Sequence, residues 1–427
     1  MLIYRVVWAA SAAVALCASV ASAQAKESCE GRISRSNVVQ YVLDASLHVR
    51  AERQGIEVWK GRQQIVDPLL PSNPVLALSG AKRVSAQADA TNWYASLAQE
   101  LEVGGQRGAR QRAVGHGREA QTWRVAKAER DTAAEAWRVY FVALAARDEL
   151  RLATRLETTF ASAITAVKAA AASGLTAGID VDVAEAAYVR LARVRILAAR
   201  RFSAAVAVIA AQLGLDPATH SPELDGELEP LRALDRDAKG IADSALLTRP
   251  ELAEKRAERS SLESSADVYR RSRAPNVTVS VIAQRDGFAE RVLGAGLSIP
   301  VPLPAPLGRT FAGHIAESEA LVRRSTSELE GGARTVRLEV VLAQQDFAAA
   351  QETRALFTEE RIGRAEQSLQ AIAEAIANGK VAIGSVLLAQ QSLIELLGAD
   401  VDAKLSLCVA SVALRRAAGL VLTGGTL

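Results

Sequence analysis

Methionine occurs once in this 427-residue chain, as Met1, and histidine four times, at His48, His116, His220 and His314. With no second thioether and no histidines at metal-ligand spacing, neither a copper ladder nor a histidine-based zinc centre can be written from the sequence, and no metal site is expected. Cofactor signatures are missing too. The "GAG" at 294–296 lacks the rest of a dinucleotide fingerprint, and "NGKV" at 378–381 lacks the earlier glycine of a phosphate loop. No serine or cysteine has a plausible histidine partner nearby, so nothing in the sequence points to an enzyme. Net charge is only +3, a near balance that argues against a nucleic-acid partner, which should present a clustered basic face. Aromatics make up 4% while Ala, Arg, Glu and Leu abound, a composition suited to long helices rather than a compact core.

Long apolar runs are confined to the start. Arg5, the run Val6–Val20 and then Ala21-Ser22-Ala23 have the charged, greasy and small-residue order of a cleavable export signal, with cleavage expected after Ala23 or Ala25. Cys17 closes the apolar run, but Leu16 stands where lipidation wants a small residue. Past the signal no stretch reaches the roughly 18 uncharged apolar residues of a membrane helix. Membrane β-strands escape that test. The two cysteines left, Cys29 and Cys408, are open to two readings: a disulfide in an oxidising compartment, or two buried thiols.

Proline is the most telling shortage. All 12 prolines fall between Pro68 and Pro74 or between Pro217 and Pro306. Because proline costs about 3 kcal/mol inside a helix, the proline-free spans permit very long helices. Gln106–Ser173 reads as one, with Trp137, Tyr140, Phe141, Leu144, Leu150 and Leu152 near three- and four-residue spacing. Gly308–Asn378 reads as another. Each rod would reach roughly 100 Å at the helical rise, a length that calls for a coiled coil.

The two spans are copies. Gly174 and Gly379 are 205 apart, and so are Ala177 and Ala382, Ala184 and Ala389, Leu191 and Leu396, Ala205 and Ala410, and Gly214 and Gly419. Each half reads short helix, β-hairpin, long helix, glycine-marked turn and returning helix. The expected segments are a signal at 1–23, short helices at 24–72, hairpins at 73–104 and 275–306, helical hairpins at 105–215 and 307–427, an irregular belt at 216–250 and a short helix at 251–274. One departure between the copies is Leu47, where the other half has Pro250.

Four strands are expected at Asn73–Gly80, Trp93–Glu102, Pro275–Gln284 and Arg291–Ile299. In the third, Val277, Val279 and Val281 alternate with Thr278 and Ser280, and in the fourth Leu293, Ala295 and Leu297 alternate with Gly294, Gly296 and Ser298. Strands of this length and alternation suit a membrane barrel with apolar side chains to lipid, and equally a soluble hairpin pair. Since a single-chain barrel needs about eight strands, the lipid-exposed version has to close by assembling copies. The alternate prolines Pro300, Pro302, Pro304 and Pro306 cannot lie within a sheet. They are read as the strand-to-helix junction, with Gly308 opening the long helix.

"NPVLALSG" at 73–80, "SLAQELEVGGQRGAR" at 96–110, "RPEL" at 249–252, "GLSIPVPLP" at 296–304 followed by "LGR" at 307–309, and the turns "SGLTAGIDVDVAEA" at 173–186 and "NGKVAIGSVLLAQQ" at 378–391 together resemble the TolC-like outer-membrane efflux family. The wording "QELEVGGQR" is most similar to the branch serving heavy-metal and cation pumps (CzcC and CusC). The resemblance implies a mainly α protein with membrane β structure. Three copies would form a 12-stranded transmembrane β-barrel, four strands per protomer, on a long antiparallel α-helical coiled-coil barrel with an internal two-fold repeat. It implies a homotrimer in outer-membrane lipid, extending into the periplasm. Its partners would be a periplasmic membrane-fusion adaptor and an inner-membrane efflux pump, of RND type in preference to others. The adaptor contact would fall on the tips Gly174, Leu175, Thr176, Ala177 and Gly178 and Gly379, Lys380, Val381, Ala382, Ile383, Gly384 and Ser385. Asp180 and Asp182 would line a periplasmic gate. The family's acidic residue past the turn is kept as Asp180 but is Ser385 in the second copy, and a carboxylate at a helix start is also what the helix dipole favours. A soluble periplasmic coiled-coil adaptor or chaperone is the competing reading.

Overall fold

The structure, a computed structural model, describes residues 32–84, 89–174, 177–234, 237–286, 290–304, 307–308, 310–377, 383–420 and 422. The export signal, Cys29 and Pro306 lie outside them. In chain order the elements are α1 Val38–Ala45, α2 Leu47–Val66, β1 Val75–Arg83, β2 Ala90–Leu101, α3 Gln106–Ala172, α4 Gly178–Gln212, α5 Ala238–Thr248, α6 Pro250–Arg271, β3 Val277–Arg285, β4 Arg291–Ser298, α7 Ala312–Ala355, α8 Glu359–Ala377 and α9 Ile383–Ala417. Among the described residues no helix is long and apolar enough to cross a membrane.

The chain forms two compact units. One comprises the residues up to Val49 with Ala128–Arg249 and Val336–Leu427, and the other comprises Arg50–Lys127 with Pro250–Thr335.

In the first unit, α4 and α9 start and stop 205 residues apart, so the duplication read from the sequence holds to the residue. Their ends are alike as well. Gly214 and Gly419 take φ of 70° and 72°. Leu215 and Leu420 donate five residues back, to Ala210 O at 2.9 Å and Arg415 O at 3.1 Å. This is the glycine-terminated cap that satisfies the last carbonyls of a helix.

Small and apolar side chains at heptad spacing seal the helices. Leu156, Phe160, Ala163 and Val167 of α3 pack with Ala184 and Leu191 of α4, Ala365, Leu369 and Ala373 of α8 and Leu397 of α9. Ion pairs run up the antiparallel α3–α4 edge: Lys168–Glu185 at 2.6 Å, Arg195 with Glu157, and Arg201–Glu149 at 3.0 Å. The densest core is aromatic. Trp137 stacks on Phe141 at 5.4 Å, and both pack with Tyr140, Leu144, Val38, Val42, Ile209, Cys408 and Val412. Trp137 Nε1 donates to Leu422 O at 3.1 Å, which ties the C-terminal segment to this belt. Cys408 is a buried free thiol.

Three expectations need correction, the last of them at the second sheet-to-helix junction below. The span 308–378 is not one rod: α7 stops at Ala355 and α8 starts at Glu359. No proline is needed for the stop. Thr358 Oγ1 accepts from Arg361 N at 3.3 Å, and Glu359 and Glu360 occupy the first turn of α8, a helix start embedded in the run. The freed carbonyls of Phe357 and Leu356 are taken by the guanidiniums of Arg354 and Arg361, the latter at 2.6 Å. The belt 216–250 is likewise not wholly irregular, since it holds α5, capped by Asp237 accepting from Gly240 N at 3.0 Å. The departure at Leu47 has no structural cost. The chain still breaks between α1 and α2, at an extended Ser46 (ψ 114°) whose hydroxyl accepts from Val49 N at 3.3 Å. Its counterpart, Arg249, is extended before Pro250.

In the second unit one sheet runs β1-β2-β3-β4, all antiparallel. The β2–α3 junction turns on Gly105, at φ 73°. A β-carbon on the neighbouring Gly104 would fall 2.8 Å from Arg271 O, so only glycine fits. Glu102 holds Arg110 bidentately at 2.7 and 2.9 Å. Gln106 Nε2 donates to Asn276 Oδ1 at 3.1 Å, while Asn276 Nδ2 donates to Glu100 Oε1 at 2.7 Å. At the other junction Pro300, Pro302 and Pro304 lie outside any strand, as proline requires. The helix there begins at Ala312, after Phe311 at φ 54°, and not at Gly308.

Candidate functional site

The register gives the sheet two distinct faces. Leu97 pairs with Leu76 and Val281, Gln99 with Val279, Val281 with Ala295, Val279 with Leu297, and Ala283 with Leu293. Cross-strand partners share a face, so Leu76, Leu78, Ala95, Leu97, Val279, Val281, Leu293 and Leu297 lie on one side, broken by Gln99. The intervening residues, among them Ser79, Ser96, Tyr94, Thr278, Ser280, Gln284 and Ser298, share the other. The apolar side is not covered: Leu78 is 72% exposed, Leu293 83% and Leu297 67%. An open apolar face of this extent marks a surface made for another phase or partner. Among the described residues β1 and β4 each have one strand neighbour, so both sheet margins keep unpaired backbone groups.

The four helices that flank the strands, α2, α3, α6 and α7, adjoin the sheet at one end, and the strand ends at Arg83, Ala90, Arg285 and Arg291 lie at the other. Towards the tips the apolar side gives way to charge and Trp93. Arg285 lies opposite Trp93 on β2 and opposite Arg291 on β4. Asp286 N donates to Glu290 O at 3.2 Å, so the ladder continues by one pair into the turn. Lys82 is paired with Asp89 at 3.1 Å. Single-residue patterning had not singled out Arg285 and Arg291. Their signal is positional: each closes an alternating strand on its apolar parity.

The other candidate region is the glycine-marked turns. The first turn follows the expected chemistry, with Gly174 at φ 75° ending α3 and its N–H donating to Ala171 O at 3.0 Å. Ala177 is extended and Gly178 opens α4, while Leu175 and Thr176 lie outside the described residues. Asp180 stands in the first turn of α4, its N–H donating to Ala177 O at 3.0 Å, and Asp182 is exposed two residues on. Of the second tip, Gly379, Lys380, Val381 and Ala382 lie outside the described residues, and the backbone of Ile383, Gly384 and Ser385 begins α9. Among the described residues no group of three or more His, Cys, Asp or Glu side chains could hold a metal ion.

Residues 241–420 match the family model described as outer membrane efflux protein. The fold as a whole is similar to several solved membrane proteins. CusC, described for its conformational changes during folding and transmembrane channel formation, is 13% identical, with 90% of this chain and 92% of that chain covered and a TM-score of 0.75. A membrane protein from Pseudomonas aeruginosa is 18% identical over 90% of each chain, with a TM-score of 0.75. The open state of the MtrE outer membrane channel of Neisseria gonorrhoeae is 16% identical over 92% of this chain and 90% of that one, with a TM-score of 0.74. No curated protein matches.

Proposed function

We propose that this chain is a member of the outer membrane efflux protein family, whose model residues 241–420 match, and that three copies close one barrel and conduct cargo passively out of the cell. The single observation that carries the trimer is the four-stranded sheet with two open margins. A membrane sheet cannot leave backbone groups unpaired in lipid, and four strands cannot close on themselves, whereas twelve can. With the apolar side outward, the side carrying Ser96, Tyr94, Ser280 and Gln284 lines a wet lumen.

The turn at Gly174–Gly178 and its counterpart at Gly379–Ser385 are the proposed contacts for a periplasmic adaptor, which hands over cargo from an inner-membrane pump of RND type. Two near-copies per protomer offer six small-residue knobs to a ring of partners. Asp180 and Asp182 are the proposed gate, where a ring of carboxylates would favour cations. Metal cations are the proposed cargo on the wording of residues 99–107. The fold favours no cargo, since CusC and the other two structures match it with TM-scores of 0.74 to 0.75. The protein works as a conduit and turns over nothing.

The deciding experiment is imaging of detergent-extracted particles from native outer membranes, joined to conductance in planar bilayers. A threefold particle with a conducting pore is expected. A freely soluble monomer would overturn the proposal and favour the adaptor or chaperone reading.

A further inference from the structure

We propose that Arg285 and Arg291 form a clamp for the phosphomonoester headgroup of an outer-leaflet glycolipid. The inference rests on the membrane reading above and concerns only the distal rim of the sheet.

The two arginines are direct partners in the β3–β4 register. They share the side of Ala283 and Leu293, and of Trp93 across β2. Like charges placed opposite each other in a ladder repel, so the arrangement calls for a shared counter-ion. The chain does not supply one among the described residues, where neither guanidinium has an ion-pair partner. Asp286 and Glu290 continue the ladder, which by alternation turns them to the polar side. The nearby Asp89 is taken by Lys82 at 3.1 Å.

Depth points to a headgroup. From Val277 to Arg285 the strand climbs about 26 Å, or about 20 Å of membrane height at a tilt near 40°, close to the apolar band of a barrel. The guanidiniums therefore sit where hydrocarbon ends, beside an aromatic of the kind that marks that boundary. Two guanidinium forks present parallel N–H pairs matched to phosphate oxygens. A monoester offers three terminal oxygens and about −1.5 to −2 charge at pH 7, and so can accept from both forks at once. A diester has two free oxygens and one charge. The four flanking helices, α2, α3, α6 and α7, all leave from the opposite end of the sheet, so in an outer membrane the Arg285–Arg291 end faces the outer leaflet.

The test is native mass spectrometry of the full-length protein extracted from outer membranes, titrated with a phosphorylated diglucosamine lipid, its enzymatically dephosphorylated form, phosphatidylglycerol or inorganic phosphate. The parent is expected to hold the phosphorylated glycolipid, and Arg285→Gln with Arg291→Gln to weaken it by about tenfold or more. Arg285→Lys with Arg291→Lys should fall between the two, because charge is kept and the forks are lost. Assembly of each variant is checked by its oligomeric mass. Equal binding of the glycolipid by parent and double Gln variant would overturn the proposal, as would equal binding of the dephosphorylated lipid or of phosphatidylglycerol. Saturable binding of inorganic phosphate that displaces the lipid would make this a soluble-anion site, which also overturns it. Conductance of the parent separates the two claims: a conducting channel without lipid discrimination sinks this inference alone, and a parent that neither inserts nor conducts sinks the channel reading.

Discussion

Val281 and Ser280 are neighbours on β3 with opposite assignments, and exchanging each for arginine tests the orientation of the sheet. Val281 lies four residues from each end of the strand, about 13 Å along it either way, and so at mid-depth. It is 60% exposed and shares its side with Leu97 and Ala295. A cation on the lipid side at mid-depth costs about 2–4 kcal/mol per chain, hence about 6–12 kcal/mol in an assembly of three. Ser280 faces the other way, between Ala98 and Gly296, where an arginine enters water and costs within about 0.5 kcal/mol. The assay is yield of assembled protein in the outer-membrane fraction, with urea titration of protein refolded into lipid vesicles. Val281→Arg should nearly abolish assembly. Ser280→Arg should assemble normally and shift ion selectivity in planar bilayers towards anions. Equal assembly of the two, or the reverse order, would refute the assignment of faces.

Gly226 sits at φ 108°, and a β-carbon there would fall 2.4 Å from the Tyr140 hydroxyl, which donates to Asp225 O. Gly226→Ala should cost about 3 kcal/mol, and Tyr140→Phe about 1 kcal/mol. Removing the hydroxyl relieves the overlap, so chemical denaturation should find the double variant less destabilised than the sum, and strict additivity would count against the contact. Cys408 is fully buried and its thiol is pushed up to about 12 by that burial. In a Cys29→Ser background an alkylating reagent at pH 8 should label it only after denaturation. Burial opposes ionisation of Asp131, but Arg130 and Arg416 outweigh it and hold the carboxyl below its ordinary value. Its contribution should be complete above the ordinary carboxylate range near pH 4 and lost as pH falls through the lower folded value, so the stability gap between parent and Asp131→Asn should close in acid. Asp180→Asn with Asp182→Asn should reduce cation preference in bilayer recordings. An unchanged preference would leave Asp180 as a helix-start residue only.

The strands were legible to within a few residues because alternation and turn chemistry act locally, and Val277–Arg285 and Ala90–Leu101 nearly coincide with the expected spans. The 205-residue repeat was legible because packed helices admit no insertions. The stop after Ala355 was hidden by the emphasis on proline: Thr358 followed by Glu359 and Glu360 is an ordinary helix start, visible only if capping is read inside an apparently continuous run. Helix α5 was hidden by the prolines around it, although Asp237 offered its cap. The arginine pair at the rim needed the register, because residues six apart in a hairpin become neighbours only once the pairing is fixed.

The interruption between α7 and α8 has one more consequence. Arg354, whose guanidinium holds the Phe357 carbonyl, also reaches the buried Asp400 of α9 at 3.4 Å, and Lys404 takes the second carboxylate oxygen at 2.7 Å. The joint is therefore tethered sideways to its neighbour. Any reshaping of that elbow has to drag a carboxylate inside an adjacent helix or surrender two cations' worth of attraction, so bending here is a property of the pair and not of one strut.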